Sequence, residues 1–328
     1  MMINFHGVMI TVNKLPSSKE YIHPFPRDGS CTVENIKNST GELLLTCYQV
    51  FPGITLSYLD AHIGNCTMST GDYSTLFEIT HCQEGRIEFH NQDDFYYLKP
   101  GDLAISRESG AYPDVWFPMS HYHGITISVD LEKAPKCLSC FLDDVNVQPK
   151  VLLKKYCGDQ TCFVARSMPA LEHIFSELYS VPPEIQKGYF KVKVLELFLF
   201  LSGLQLKQDD PAQRRYTPSQ VDLVKEISKY LTAHMDSRIT LEELSERFHA
   251  SGTQIKTSFK GVYGVSLYNY IRIQKMESAA RMLRNTTKTV SEIAGTHGYD
   301  NASKFAVAFR SIMGMPPNEY RKSEAESL

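Results

Sequence analysis

The strongest constraint in this 328-residue sequence is a pattern that occurs twice near its end. Thr240-Leu-Glu-Glu-Leu-Ser is matched by Thr289-Val-Ser-Glu-Ile-Ala, and Ile255-x-x-x-Phe259-Lys260 by Phe305-x-x-x-Phe309-Arg310. Gly264 and Tyr270 then pair with Gly314 and Tyr320. The offset is 49 residues at the start and 50 afterwards, which places a one-residue insertion in a turn. A pattern repeated at that period means one supersecondary unit built twice.

Each copy reads as helix, tight turn, helix. Thr240 is placed to cap a helix, with Glu243 three residues on completing a capping box, and Leu241, Leu244 and Phe248 form its apolar face. A turn at His249-Ala-Ser-Gly252 leads into a second helix over 253–263, where Ile255 and Phe259 point inward and the residues between them outward. The second copy runs from Val290 to His297, turns at Gly298-Tyr-Asp300 and continues over 301–313. A helix with a polar outer face after a tight turn suits insertion into a DNA major groove. Between the copies, Ser266 to Arg284 predicts one helix of about 28 Å, close to a DNA turn.

Charge agrees with that placement. Residues 1–216 hold 19 Lys and Arg against 25 Asp and Glu, a net of −6, whereas residues 217–322 hold 15 against 10, a net of +5. From Arg247 to Lys322 the balance is 12 against 4. A basic segment on an acidic one assigns a polyanionic partner to the first alone.

The remainder divides at a polar stretch, 207–217, which contains Pro211 and no apolar period and is expected to be a linker. Before it, residues 43–130 show alternating runs such as Thr75-Leu-Phe-Glu-Ile-Thr-His, closed by turns such as Pro100-Gly101-Asp102. These predict an antiparallel sandwich or small barrel. Residues 169–206 change to a helical period, and the second helix there is apolar round much of its circumference, as a subunit-pairing or core helix would be. The expected class is α+β. Residues 1–206 form a β-barrel with a helical pairing segment, 218–322 an all-α double helix-turn-helix domain, and 323–328 a tail. No run of about 18 uncharged apolar residues suggests a membrane span, and the first fourteen residues lack a secretory pattern. The expected compartment is the cytoplasm, where the eight cysteines would be free thiols.

The repeat resembles the AraC/XylS regulators, whose signature lies over about the last 100 residues. It is carried by Ile239 to Phe259, by Ala279 to Leu283, and above all by Ile293-Ala-x-x-x-Gly298-Tyr299-x-Asn-x-Ser303-x-Phe305-x-x-x-Phe309-Arg310-x-x-x-Gly314-x-x-Pro317-x-x-Tyr320-Arg321. The resemblance implies a promoter-binding regulator, usually an activator controlled by a small molecule, with double-stranded DNA, an effector, RNA polymerase and a second copy of the chain as partners. It implies base-facing residues Thr253, Gln254, Lys256 and Thr257 in the first copy, and Asn301, Ala302, Ser303, Lys304 and Val307 in the second. Such regulators often carry Arg at the positions of Thr257 and Val307; Thr and Val would meet thymine methyls instead. Lys260, Arg272, Lys275, Lys288 and Arg310 are the phosphate candidates.

The Pro100-Gly101-Asp102 turn resembles those of cupin-like sensory barrels. The runs Ile79-Thr-His-Cys-x-Glu-Gly85-Arg86 and Tyr122-His-Gly-Ile125 resemble siderophore-responsive members. The competing class is a cupin-type metal-dependent enzyme fused to a DNA-binding domain. The one His-x-His, His121-Tyr-His123, stands late in the domain, and His81 and His90 lack ligand spacing, so no metal or other cofactor is expected. Cys137, Cys140, Cys157 and Cys162 have irregular spacing for zinc. Neither a Gly-x-Ser-x-Gly elbow nor a phosphate loop is present, so no catalytic residue is assigned.

Overall fold

The computed structural model of the chain describes residues 2–5, 8–11, 31–67, 75–91, 94–107, 114–139, 145–158, 162–166, 169–204, 215–237 and 239–326. The chain divides into two compact units, Met1–Arg215 and Tyr216–Leu328. Most of the stretch expected to be a linker, through residue 214, lies outside the described residues.

The first unit begins with a hairpin of β1 (Met2–Phe5) and β2 (Val8–Thr11). Next come β3 (Cys31–Asn38), β4 (Gly41–Phe51), β5 (Ile54–His62), β6 (Asn65–Thr67), β7 (Leu76–Gly85), β8 (Ile87–Asn91) and β9 (Asp94–Leu98). β10 (Leu103–Arg107), β11 (Asp114–Trp116), β12 (Tyr122–Asp130), α1 (Pro149–Cys157), β13 (Cys162–Ala165), α2 (Pro169–Leu178) and α3 (Gln186–Gly203) complete it. Seven strands form one antiparallel sheet in the order β13-β10-β7-β12-β5-β4-β3, and β6 pairs with β11 and β8 with β9 in two short ribbons. β3 and β13 stand at opposite edges, so the described strands form an open sheet. The strands also overrun the expected 43–130 window. β3 escapes the apolar alternation because it is an edge strand with no fully buried residue, and β13 joins β10 only after the intervening α1.

Both faces of the sheet are covered, so its central strands bury apolar residues on either side. On one face Leu56, Tyr58, Phe77, Ile79, Ile125 and Ile127 pack with Phe175 and Leu178 of α2 and Phe190, Val194 and Phe198 of α3. On the other, Leu43, Ala61, Cys82, Ala104 and Tyr122 pack with Tyr96, Leu98 and Phe117. The Pro100-Gly101-Asp102 turn is built as a polar knot. Gly101 takes φ +83°, which a side chain disfavours, and donates to the Cys82 carbonyl at 2.9 Å. Asp102 is fully buried; its Oδ2 accepts from the Lys99 amide at 3.0 Å and from Arg166 Nη1. The same Arg166 nitrogen donates to the Tyr97 carbonyl at 2.9 Å.

The histidines weighed above separate here. His81 is buried and stacks on Phe175 with ring centroids 4.1 Å apart, and burial alone pushes its imidazole down to about 4. The side chain of His90 lies outside the described residues. So do Cys140 and the side chain of Cys162, while Cys137 Sγ meets Ser139 Oγ at 3.6 Å and Cys157 Sγ donates to the Ile105 carbonyl at 3.6 Å.

The second unit is helical: α4 (Pro218–Ala233), α5 (Leu241–Phe248), α6 (Gly252–Tyr263), α7 (Leu267–Asn285), α8 (Val290–Thr296), α9 (Ala302–Met313) and α10 (Pro317–Glu326). The expected tail from residue 323 is still helical through Glu326. Among the described residues no helix is long and apolar enough to cross a membrane.

Candidate DNA-binding surface

Each copy of the repeat folds by the same local rules. Thr240 Oγ1 accepts from the Glu243 amide at 3.2 Å to start α5, and Thr289 Oγ1 does the same with the Glu292 amide at 3.2 Å to start α8. The second copy has the full capping box, with Glu292 returning to the Thr289 amide at 2.7 Å. The box expected at Glu243 is only half formed, because its carboxylate takes the Tyr230 hydroxyl of α4 at 3.0 Å.

The turns also match. His249 and Gly298, 49 residues apart, both take positive φ, 51° and 72°. A Cβ at Gly298 would stand 2.9 Å from the Asp236 carbonyl oxygen, so the second turn requires glycine where the first strains a histidine. The caps of the next helices, Ser251 and Asn301, are 50 apart, so the inserted residue falls between turn and cap.

In α6 the buried face carries Ile255, Ser258, Phe259, Val262 and Tyr263. Phe259 stacks on Tyr263 at 4.5 Å and meets the edge of Tyr270 at 5.0 Å. In α9 the buried residues are Phe305, Ala308 and Phe309, with Tyr320 of α10 edge-on to Phe309 at 5.5 Å. Anchoring these faces against α7 turns the opposite faces outward. Thr253, Gln254, Lys256 and Thr257 are all exposed on α6, as are Ser303, Lys304 and Val307 on α9, with Ala302 partly covered. Val307 is 70% exposed. Asn301 is exposed too, but its Oδ1 caps α9, accepting from the Ser303 amide at 2.7 Å and the Lys304 amide at 3.3 Å.

The cationic residues divide into two groups. Lys260, Lys288 and Arg310 are exposed. Lys275 is partly covered, and its Nζ donates to the His297 carbonyl at 2.9 Å; burial lowers its pKa from the ordinary lysine range. Arg272 donates to Ser311 Oγ, tying α7 to α9. Arg321, absent from the expected set, donates to the carbonyls of Leu283 at 3.2 Å and Lys288 at 2.5 Å and so holds the α7–α8 corner. Its place in the family signature marked it, but its inward direction had no local signal. Tyr268, 74% exposed near the start of α7, was also missed because it lies off that helix's apolar stripe.

His297 is buried where the first copy has Phe248, and its Nδ1 donates to the Ile293 carbonyl at 2.8 Å. Burial, helped by the charges of Lys275 and Arg281, lowers its pKa below the ordinary 6.5. With the folded pKa depressed, the unfolded chain binds a proton first as pH falls. Stability from this group is therefore present above about 6.5 and lost progressively below it. In melts of the whole chain between pH 7.5 and 5.5, His297→Gln is expected to flatten the acid-side decline relative to wild type; parallel curves would contradict this assignment.

Residues 244–323 match the helix-turn-helix domain family. The chain is 37% identical over 252 residues, 73% of it and 82% of the relative, to the uncharacterized HTH-type transcriptional regulator YdiP of Escherichia coli (strain K12). It is 26% identical over 111 residues, 34% of this chain and 82% of the relative, to the HTH-type transcriptional activator AarP of Providencia stuartii. It is 29% identical over 117 residues, 35% of this chain and 54% of the relative, to the bifunctional transcriptional activator/DNA repair enzyme AdaA of Bacillus subtilis (strain 168).

Proposed function

We propose, on the premise that this chain belongs to the AraC/XylS family and is a DNA-binding transcriptional regulator, that it is an effector-responsive activator that reads promoter DNA with α6 and α9. The observation that carries this reading is the pair of exposed polar faces on α6 and α9, both anchored on the 19-residue α7. Thr253, Gln254, Lys256 and Thr257, with Ala302, Ser303, Lys304 and Val307, face the bases. Asn301 organises the start of α9 and presents only its remaining polar atom. Thr257 and Val307 offer methyl groups, so α9 gives up guanine readout at one position and holds the duplex more through phosphate.

Lys260, Lys288 and Arg310 are the phosphate contacts. Lys275 and Arg272 act mainly through the hydrogen bonds described above, holding α8 and α9 at the correct angle to α7. The N-terminal unit is read as the cupin-like sensing and pairing domain of a cytoplasmic protein without enzymatic activity, whose activator role works through RNA polymerase.

The pairing surface is α3. Ile185 at its cap, Val192 and Leu199 recur every seven residues and are 51%, 61% and 37% exposed, with Phe200 beside them at 39%. A seven-residue apolar stripe suits a second copy of the same helix. The effector acts by binding one arrangement of units or subunits better than another, since a ligand shifts an equilibrium only by its differential affinity.

Binding of the purified chain to its own upstream DNA and to a scrambled duplex, across a salt series, tests the reading. Preference for the native duplex with affinity falling as salt rises supports it; equal binding to both, or none at low salt, overturns it. Lys256→Ala is expected to relax discrimination at one base pair by about 1–3 kcal/mol. A uniform loss on all sequences, with a shallower salt dependence, would reassign Lys256 to phosphate.

A further inference from the structure

We propose that His62, His121 and His123 form a site for one divalent transition-metal ion of borderline softness, Zn²⁺ or a neighbour such as Co²⁺ or Ni²⁺. Strand register creates the cluster. β5 and β12 pair antiparallel with Tyr122 opposite Ala61 and His123 opposite Asp60, which sets His121 beside His62. Residues two apart in a strand share a face, so the three imidazoles converge although His62 is 59 residues from His121 in sequence. One ligand atom from each lies within 4.8 Å of the other two, and the ring centroids are 4.7 to 5.3 Å apart.

The polar partners explain why this is more than three histidines in contact. His62 Nε2 stands 3.2 Å from Asp60 Oδ1, and His121 Nε2 stands 3.5 Å from Glu84 Oε2. A carboxylate keeps the proton on the nitrogen that faces it, leaving the other nitrogen with a lone pair. The two remaining nitrogens, His62 Nδ1 and His121 Nδ1, face each other at 3.5 Å. Two lone pairs at that distance repel unless a cation stands with them. Tetrahedral zinc with nitrogen ligands at about 2.0–2.1 Å spaces those ligands about 3.4 Å apart, so this pair is already set and only His123 must approach. Asp60 also reaches His123 Nδ1 at 3.3 Å, placing a carboxylate at two rings in the manner of outer partners that orient metal-bound imidazoles. Imidazole donors select zinc, cobalt, nickel or iron over magnesium and calcium, which take oxygen. The side chains of His62 and His121 are 37% and 38% exposed, so solvent can supply the fourth ligand.

The test is titration of the chelator-treated full chain with Co²⁺, followed by visible absorption, and competition by Zn²⁺. One equivalent is expected, with the intense bands of a four-coordinate nitrogen site, displaced by Zn²⁺. His121→Ala and His123→Ala should each weaken binding by more than the roughly 10–100-fold expected for the outer-partner variant Asp60→Asn. His173→Ala, an exposed histidine paired with Glu196 elsewhere, should leave binding unchanged. His62→Asn and a circular dichroism check of each variant separate ligand loss from misfolding. No Co²⁺ uptake, with the three imidazoles titrating together as a proton-sharing group, overturns the proposal; so does equal uptake by wild type and the His121/His123 double variant. DNA binding by the metal-free chain is measured separately, so failure of either reading is distinguishable from failure of the other.

Discussion

Asp102→Ala is expected to destabilise the N-terminal unit by about 3–5 kcal/mol, the range for removing one partner of a buried ion pair. Asp102 has no exposure to solvent, and the side chain of Arg166 is 19% exposed. Alanine would leave the guanidinium without its carboxylate and the Lys99 amide without its acceptor. Three elements meet there: Tyr97 in β9, Asp102 at the start of β10, and Arg166 just after β13. Amide exchange should therefore rise in β10 and β13 and in β7, which pairs with β10, while α5 to α9 keep their protection. The double variant Asp102→Ala with Arg166→Met should recover part of the loss, since an apolar replacement of both partners removes the buried charge. A single variant as stable as wild type would show that the pair is not desolvated in solution.

Phe309→Ala should cost about 3–5 kcal/mol, as truncating a fully buried aromatic does. Phe309 is 0% exposed and packs against Phe305 and Tyr320, in a helix whose other buried residues are only Phe305 and Ala308. The loss should be concentrated in α8 and α9. Protection of α4 to α6 should persist, because Phe259, Tyr263 and Tyr270 form their own aromatic contacts. DNA affinity should fall to that of α6 alone, with a weaker salt dependence because fewer phosphates are neutralised. Phe259→Ala should give the mirror image. Equal loss of protection in both copies from either substitution would mean that α7 makes them one cooperative unit.

Much of the candidate DNA-binding surface is legible in the sequence because its signals are local. The inward positions at Ile255, Phe259, Phe305 and Phe309, the caps at Thr240 and Thr289 and the turn residues all act within a few residues of themselves. Once those point inward, the outward positions follow from 3.6 residues per turn. The cationic residues were less legible, because Lys275 and Lys256 look alike in sequence. Which one meets solvent depends on where the His297 carbonyl falls, and that is a property of two packed helices. Glu243 is similar: the local rule assigned it to a capping box, and the Tyr230 hydroxyl from another helix took it instead.

In the N-terminal unit the balance reverses. Alternation predicted antiparallel strands, yet whether a sheet closes depends on which strands become neighbours, and β13 meets β10 from 55 or more residues away along the chain. The His121-Tyr-His123 motif was visible, but its third member was not. Sequence spacing has no term for register, and a shift of one residue between β5 and β12 would have turned His62 and Asp60 to the opposite face.

By itself, then, the sequence determined a doubled helix-turn-helix end, its family, the residues turned outward on α6 and α9, and a strand-rich front half. Periodicity, capping and repetition are short-range effects that survive without any partner. Only the tertiary structure decided that the described strands line up in one sheet with β3 and β13 at its edges, that Asp102 is buried against Arg166, that Lys275 and Arg321 face inward, and that three histidines meet on one face. Each of those depends on an atom from a distant segment arriving within hydrogen-bonding or van der Waals range, which packing and register settle together.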